Sequence, residues 1–469
     1  MGYMPVIGLE IHAELMTRTK VFCSCETGFG SERNSHVCPV CLGMPGALPV
    51  LNQKAVELAV SAGLLLGCEI TRTTRWDRKN YFYPDLTKAY QISQLYAPLC
   101  LGGGLEINGR FIRLNRIHLE EDAGKLVHER NVSILDYNRA GVPLIEIVTE
   151  PDIRSSDEAV EFVERIRRNL VYGDICDGKM EQGSLRVDAN ISVMPEGSDV
   201  YGTRSEIKNI NSFRFIKRAI EFEIERQIGV LENKGRVIQE TRRYDEASGE
   251  TFSMRSKEDA HDYRYFPDPD ILPLFISDED IAAIREKLPE PPHIRFLRYT
   301  DSYGLSAKDA ETILSERFTA DFFDAAVKNG ADPKAASNAV RGELLRCVRE
   351  SGGNEIPIGA EDFTKALVLA AKNAITQEGL KTALSYMFFN RADLDTAVKV
   401  NNLLVSEDAG LIGTVISEVL AASPDIVSKY KDGNQRVFSY LFGQCVKRLK
   451  GKALPATIDA ELKKGLSEL

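Results

Sequence analysis

Four of the nine cysteines crowd into Cys23–Cys41. Cys23-x-Cys25 is followed, after twelve residues, by Cys38-x-x-Cys41. Two close pairs of thiolates suit a tetrahedral zinc ion, each pair supplying two ligands and the intervening loop closing the tetrahedron. The residues between and within the pairs (Gly28, Gly30, Ser31, Asn34, Ser35 and Pro39) are those that make tight turns. Four thiolates leave no open coordination position, so such a zinc would be structural. Free thiols clustered by chance are the alternative.

A second group is acidic. Glu10 and His12 lie two residues apart in a run of alternating polarity, so both point to one side of a strand. Glu120, Glu121 and Asp122 follow His118-Leu119 and precede a small-residue turn. Arg186, Asp188 and Asn190 alternate along another run, and Glu206 and Lys208 along the next. An unpaired charge turned inward costs several kcal/mol, so these faces must be solvated, paired or bound to a cation. Hard oxygen ligands suit Mg2+, which takes one or two carboxylates and completes its octahedron with water and substrate phosphates. A solvated acidic strand face has the same pattern. The run Asp77–Asp85 adds Arg78 and Lys79 to Tyr81, Phe82 and Tyr83. Its cations could neutralise a triphosphate while the aromatics stack on a base or simply anchor the loop.

The elements that must position these groups are strands in the first half. Ile7, Leu9, Ile11, Ala13 and Leu15 alternate with Gly8, Glu10, His12 and Glu14, the period of a half-buried strand. The same alternation runs through Leu185–Val193, and further strand-like runs are Arg110–Leu119 and Val142–Thr149. Helices are expected over Ser156–Val171, with a capping box at Ser155 and Glu158 and a stop at Gly173, and over Ser212–Leu231, capped by Ser212. At Pro289-Glu290-Pro291-Pro292 the character changes, and beyond it Ala, Leu, Lys and Glu recur at helical spacing. This predicts an α+β class: an N-terminal domain over 1–290 with an antiparallel sheet, flanking helices and the cysteine knuckles at 23–41. A helical domain over 291–405 and a small helical tail over 406–469 follow.

At 469 residues the chain exceeds one ordinary domain. Its 43% hydrophobic and 27% charged residues are globular values. Apolar runs are too short to span a bilayer, and Met1-Gly2-Tyr3-Met4-Pro5 lacks the layout of a secretion signal, so a cytoplasmic protein without membrane contact is expected. The net charge of −10 argues against a protein that coats nucleic acid. Several nucleotide sites are missing. Gly197–Arg204 has Walker-like glycine spacing but ends Thr203-Arg204, without the lysine. No Rossmann glycine run, no G-x-S-x-G elbow and no kinase motif set occurs.

These residues carry a resemblance. Val6–His12, Asp77–Asp85, His118–Lys125, Leu144–Asp152, Ser184–Ser192, Glu206–Ser212 and Asp262–Pro267 resemble, in that order, motifs of the B subunit of the glutamyl-tRNA(Gln)/aspartyl-tRNA(Asn) amidotransferases. The resemblance implies a cradle-like N-terminal fold and an ATP-dependent carbon–nitrogen ligase reaction. Glutamate or aspartate mischarged on tRNA is phosphorylated by ATP, and ammonia then displaces the phosphate. It implies that Glu10, His12, Glu120, Glu121 and Glu206 surround Mg2+ and that Asp188 joins them in catalysis. Arg186 and Asn190 would support the phosphates, with Lys79 neutralising them. It also implies a heterotrimer with an amidase A subunit, which supplies ammonia, and a small C subunit. Some members lack the four cysteines, so Zn2+ would support the fold and not the chemistry. No serine–lysine or cysteine–histidine pattern able to hydrolyse glutamine appears, and Gln444-Cys445 lacks a glutaminase context.

The tail supplies a basic stretch. Lys429, Lys431, Arg436, Lys447, Arg448, Lys450 and Lys452 face a single acid, Asp432, a local balance of +6 in a chain of net charge −10. Such a patch can hold the phosphates of Glu-tRNA(Gln) or Asp-tRNA(Asn) without reading bases; a solvated helix face is the plainer alternative. Against the ligase stands a non-catalytic, zinc-containing module that only positions mischarged tRNA. Acids beside cations on facing strands favour the enzyme, since a surface that merely binds RNA would avoid carboxylates near phosphate. A free-standing metal hydrolase fits poorly with a closed cysteine site. Whether Glu-tRNA, Asp-tRNA or both are substrates depends on which mischarging synthetase the cell has.

Overall fold

Alternation of apolar and polar residues over Tyr3–Glu14 produces the central strand, β1, of the N-terminal sheet. The structure, a computed structural model, describes residues 2–129, 131–256, 262–405, 409–431, 434–449 and 453–467. They fall into two units, Met1–Pro291 and Pro292–Leu469. In the first, β1 joins β2 (Arg110–Glu121), β3 (Pro143–Thr149), β4 (Leu185–Pro195), β5 (Ser205–Ile210), β6 (Glu240–Tyr244) and β7 (Thr251–Ser256). Their order is β7-β6-β5-β4-β1-β3-β2, continued by Cys100–Leu101 and Glu69–Ile70. Neighbours in this order run antiparallel except β5 and β6.

One face of the sheet is apolar. Leu9, Ile11 and Ala13 of β1 share a buried core with Ile117 and Leu119 of β2, Ile145 and Ile147 of β3, and Val187 and Ala189 of β4. Helices α1 (Gln53–Leu65), α2 (Ser156–Tyr172) and α3 (Phe213–Glu232) contribute to the same core through Leu58 and Ala62, Phe162 and Ile166, and Ile216 and Ile220. Each fully buried Leu, Ile or Phe contributes about 1.5–3 kcal/mol, so this face fixes the strands firmly.

Both expected helices are present. Ser212 caps α3, its Oγ accepting from Phe215 N. At α2 only half of the capping box forms: Ser155 Oγ accepts from Glu158 N, but Glu158 Oε2 accepts from Arg154 N and not from Ser155. Helix α2 stops at Gly173 as expected, and the left-handed residue Asp174 (φ 51°) follows it.

From Pro292 onward the described residues form helices and turns, apart from the single bridge Ile375–Leu404. Helices Arg317–Lys328 and Ala360–Ala371 pack with Phe322 and Phe363 rings 5.1 Å apart. A separate core of Ile416, Leu441, Cys445 and Leu462 unites Ala409–Ala421, Phe438–Leu449 and Pro455–Ser467. The α+β expectation therefore holds. The expected division between 405 and 406 adjoins 406–408, outside the described residues. No helix among the described residues is long and apolar enough to cross a membrane.

The sheet's far edge is tied to α3 by a buried acid. Glu223 is fully buried and accepts from Arg226 Nη2 (2.6 Å), Gln227 Nε2 (2.9 Å) and Thr251 Oγ1 (3.1 Å), with Arg242 Nε at 3.4 Å. Glu223→Ala would take from Arg226 its close carboxylate partner, while Arg242 keeps Glu240 at 2.5 Å. It should cost about 3–5 kcal/mol, as removal of one partner from a buried ion-pair network does. Urea unfolding of the variant and the parent measures this directly.

Candidate functional site

The second face of the sheet is polar, and strand register lines its charges up. His12 stands opposite Arg186 on one side and Glu146 on the other, and Glu146 stands opposite His118. Glu10 stands opposite Asp188, and Asn190 opposite Glu206. Because directly paired residues point the same way, the ladder gathers groups distant in sequence onto one wall. That wall bounds a cavity of about 450 Å³ lined by Glu10, His12, Lys79, Glu120, Glu146, Asn190, Glu206 and Lys208, with Tyr263 and Tyr265 among the other groups.

Two sets of potential ligands result. His12, Glu120 and Glu146 offer atoms within 4.8 Å of one another, and so do Glu10, Asp188 and Glu206. In the first set, His12 Nε2 is 3.3 Å from Glu146 Oε2, and His118 Nε2 reaches Glu120 at 3.5 Å and Glu146 at 3.6 Å. Ser93 Oγ donates to Glu120 Oε2 at 3.1 Å. Burial alone would raise the Glu146 carboxyl, but His118 and His12 outweigh it and hold the group below the usual range. Burial likewise opposes the His12 imidazolium, and the hydrogen bond and charge of Glu146 raise it nonetheless.

In the second set the Lys208 ammonium sits between Asp188 (2.6 Å) and Glu206 (2.9 Å), which keep it charged in spite of burial. Glu10 accepts from Asn190 Nδ2 at 2.9 Å, and its carboxyl is raised by burial and by neighbouring Glu146.

Lys79 enters from outside the main sheet, on the strand Asp77–Asn80. Asn80 donates to the Tyr263 and Arg264 carbonyls, which brings Tyr263 beneath the Lys79 ammonium at 4.9 Å. Arg78 clamps the same segment through Asp268 and Asp270, each at 2.7 Å. Burial opposes the Lys79 charge, but Glu120 and Glu146 more than restore it. The aromatics of this loop divide: Tyr81 is half-buried beside Tyr263, whereas Phe82 is 92% exposed.

Two expected site residues turn elsewhere, and a third meets the cavity only through a neighbour. Glu121 follows Glu120 in β2, so its side chain takes the opposite face. There it is buried against Lys88 Nζ, accepts from Ile92 N at 2.9 Å, and lines a different cavity beside Cys41. Strand parity thus sets it apart from the other residues expected around Mg2+. Arg186 shares the polar face, but its guanidinium turns to Asp122 at 2.6 Å. Asp188 reaches the cavity through Lys208. Glu146, which the sequence reading passed over, joins both histidines. Its signal was a lone carboxylate within the apolar run Leu144–Val148.

The four cysteine sulfurs also lie within 4.8 Å of one another, close to the spacing a tetrahedral zinc–thiolate centre needs. Cys38 N donates to Cys41 Sγ at 3.2 Å, and a hydrogen bond from Cys23 draws the Cys41 thiol down to about 4, against burial. The donor set fits zinc. In the tail, Lys429, Lys431, Arg436, Lys447 and Arg448 are exposed, with Arg448 3.4 Å from Glu418. Lys450 and Lys452 lie outside the described residues, as does Asp432.

A family model described as the GatB/GatE catalytic domain matches residues 5–282, and one described as the GatB domain matches 321–466. The chain is 47% identical over 477 residues to the B subunit of the aspartyl/glutamyl-tRNA(Asn/Gln) amidotransferase of Ruminiclostridium cellulolyticum, covering 100% of this chain and 98% of that one. The protein of the same name from Carboxydothermus hydrogenoformans is 48% identical over 478 residues, covering 100% and 99%. That from Thermoanaerobacter pseudethanolicus is 48% identical over 475, covering all of both chains.

Two measurements check this geometry. Glu146→Gln should weaken Mn2+ binding by more than the roughly tenfold that even an outer partner of a ligand is worth, while Glu121→Gln should leave it near the parental value. Elemental analysis should find about one zinc per chain, and Cys38→Ser together with Cys41→Ser should abolish it.

Proposed function

Because this chain belongs to the family of aspartyl/glutamyl-tRNA(Asn/Gln) amidotransferase B subunits, we propose that its polar strand-face cavity performs the ATP-dependent activation step of that amidation. The observation that carries the proposal is the convergence of Lys79 and Lys208 with two carboxylate sets on one cavity. A surface that only held tRNA would gain nothing from carboxylates beside its cations.

The chemistry needs such a site. The side-chain carboxylate of a tRNA-bound glutamate or aspartate is a poor electrophile toward ammonia. Transfer of the γ-phosphoryl of ATP to one carboxylate oxygen releases ADP and leaves an acyl phosphate. Ammonia then attacks the carbonyl carbon, and the C–O bond to phosphate breaks, giving the amide and inorganic phosphate.

His12, Glu120 and Glu146 would hold Mg2+, offering an imidazole nitrogen and two carboxylate oxygens within 4.8 Å of one another. Bound there, Mg2+ would supply charge neutralisation and alignment of phosphate oxygens during in-line transfer. Glu146 orients the His12 ring, and Ser93 orients Glu120. Lys79, charged in spite of burial, would meet the triphosphate, with Arg116 and Arg204 on the same lining. Asn190 and Lys208 hold Glu10, Asp188 and Glu206 in place around the transferring group.

An amidase A subunit would provide ammonia, and a small C subunit would complete the complex. The exposed lysines and arginines of the tail would hold tRNA phosphates. Zinc, if bound by Cys23, Cys25, Cys38 and Cys41, would brace the N-terminal unit.

Two outcomes follow. In the reconstituted complex, Glu146→Gln should lower mischarged-tRNA-dependent ADP formation by orders of magnitude, because several kcal/mol leave the transition state, with tRNA affinity little changed. An unaltered rate in a variant that melts like the parent would end the catalytic reading. Replacing Lys429, Lys431, Arg436 and Lys447 together with Gln should reduce the salt dependence of tRNA binding by about 0.9 in log–log slope for each duplex phosphate no longer neutralised. An unchanged slope would place the RNA elsewhere.

A further inference from the structure

Lys20 is fully buried, yet among the described residues it makes no ion pair with a carboxylate. Its Nζ donates to His36 O at 2.8 Å and to Tyr137 O at 3.1 Å, and stands 3.6 Å from Cys41 Sγ. Carbonyl dipoles alone compensate a buried ammonium poorly, and the remaining cost is several kcal/mol. Glu121 lines the same small cavity but gives its charge to Lys88. Asp270, on the same lining, pairs with Arg78, which leaves the cysteine cluster beside Lys20 to supply negative charge. Without a metal the cluster offers at most a single thiolate, whereas four thiolates around one Zn2+ carry a net −2.

We propose that Lys20 is the built-in counter-cation of a tetrathiolate metal centre. Its ammonium gives Cys41 Sγ a charge-assisted hydrogen bond, and its two carbonyl contacts tie the second knuckle, through His36, to the turn at Tyr137. The placement explains why a lysine occupies a fully enclosed position. It also gives the metal a partner outside its ligands, of the kind that orients ligands and slows metal loss. Backbone bonds join this turn to the polar wall: Val21 N donates to Gly141 O, and Gly141 N to Asp122 O, whose carboxylate holds Arg186. The proposal rests on the cluster's binding metal and is independent of the catalytic reading.

The test uses the full chain and neither ATP nor tRNA. Lys20→Met keeps the bulk of the side chain and removes its charge. Zinc should pass from this variant to a chelating dye about tenfold faster than from the parent, or more. Melting temperatures give a second readout that survives poor folding of the single variant. In the parent, Lys20→Met should lower the melting temperature. In a Cys38→Ser/Cys41→Ser background, where the ammonium has lost its anion, the same change should raise it. A release rate within twofold of the parent, an equal shift in both backgrounds, or a parent that takes up no zinc would each overturn the proposal.

Discussion

Carboxylates at half-buried positions of a sheet cannot remain ionised unless cations stand among them, and the N-terminal unit is organised around that requirement. Glu10, Glu120, Glu146 and Glu206 all line one cavity. Removed from bulk water, each would take up a proton or repel its neighbours, as the upward displacement of Glu10 shows. Lys208 meets the requirement in part for one set by seating itself between Asp188 and Glu206. His12 and His118 meet it partly for the other, and Lys79 adds its charge from a separate strand. One lysine among three carboxylates leaves the wall short of positive charge, a shortfall that a divalent cation would complement.

Strand parity separates this chemistry from everything else. Alternate residues of β1 to β4 supply the apolar core, and the residues between them supply the wall. Where the reading of the sequence followed that parity, it anticipated the structure: Glu10, His12, Asn190 and Glu206 all reach the cavity, as does Lys79 from the run Asp77–Asp85. Where it ignored parity, it grouped residues that the sheet separates. Glu120 and Glu121 look like one acidic cluster in the sequence, yet adjacent strand residues cannot share a ligand sphere on one face, and Glu121 pairs with Lys88. Glu146 was hidden for a different reason. Its importance depends on which strands are neighbours, and the register His12–Glu146–His118 is a property of the assembled sheet. Arg186 was placed on the correct face, but the position of Asp122, past the end of β2, decided where its guanidinium points.

The cysteine knuckles lie toward the Glu121 side, and their logic is electrostatic as well. Close cysteine spacing was enough to foresee the cluster, because paired knuckles are local. The buried lysine beside it was not foreseen, since nothing in Thr19-Lys20-Val21 distinguishes an enclosed lysine from a solvated one. The polar wall and the cysteine cluster thus follow one rule: charge is buried only where its complement is supplied.

The central claim is that nucleotide phosphate and His12 share one metal ion. Pulsed electron paramagnetic resonance of the complex loaded with Mn2+ and ATP reads both neighbours of the ion at once. The account predicts phosphorus couplings from the nucleotide together with a nitrogen coupling from imidazole, the latter disappearing in His12→Asn. Phosphorus couplings with no imidazole nitrogen, or a nitrogen coupling that survives His12→Asn, would contradict it.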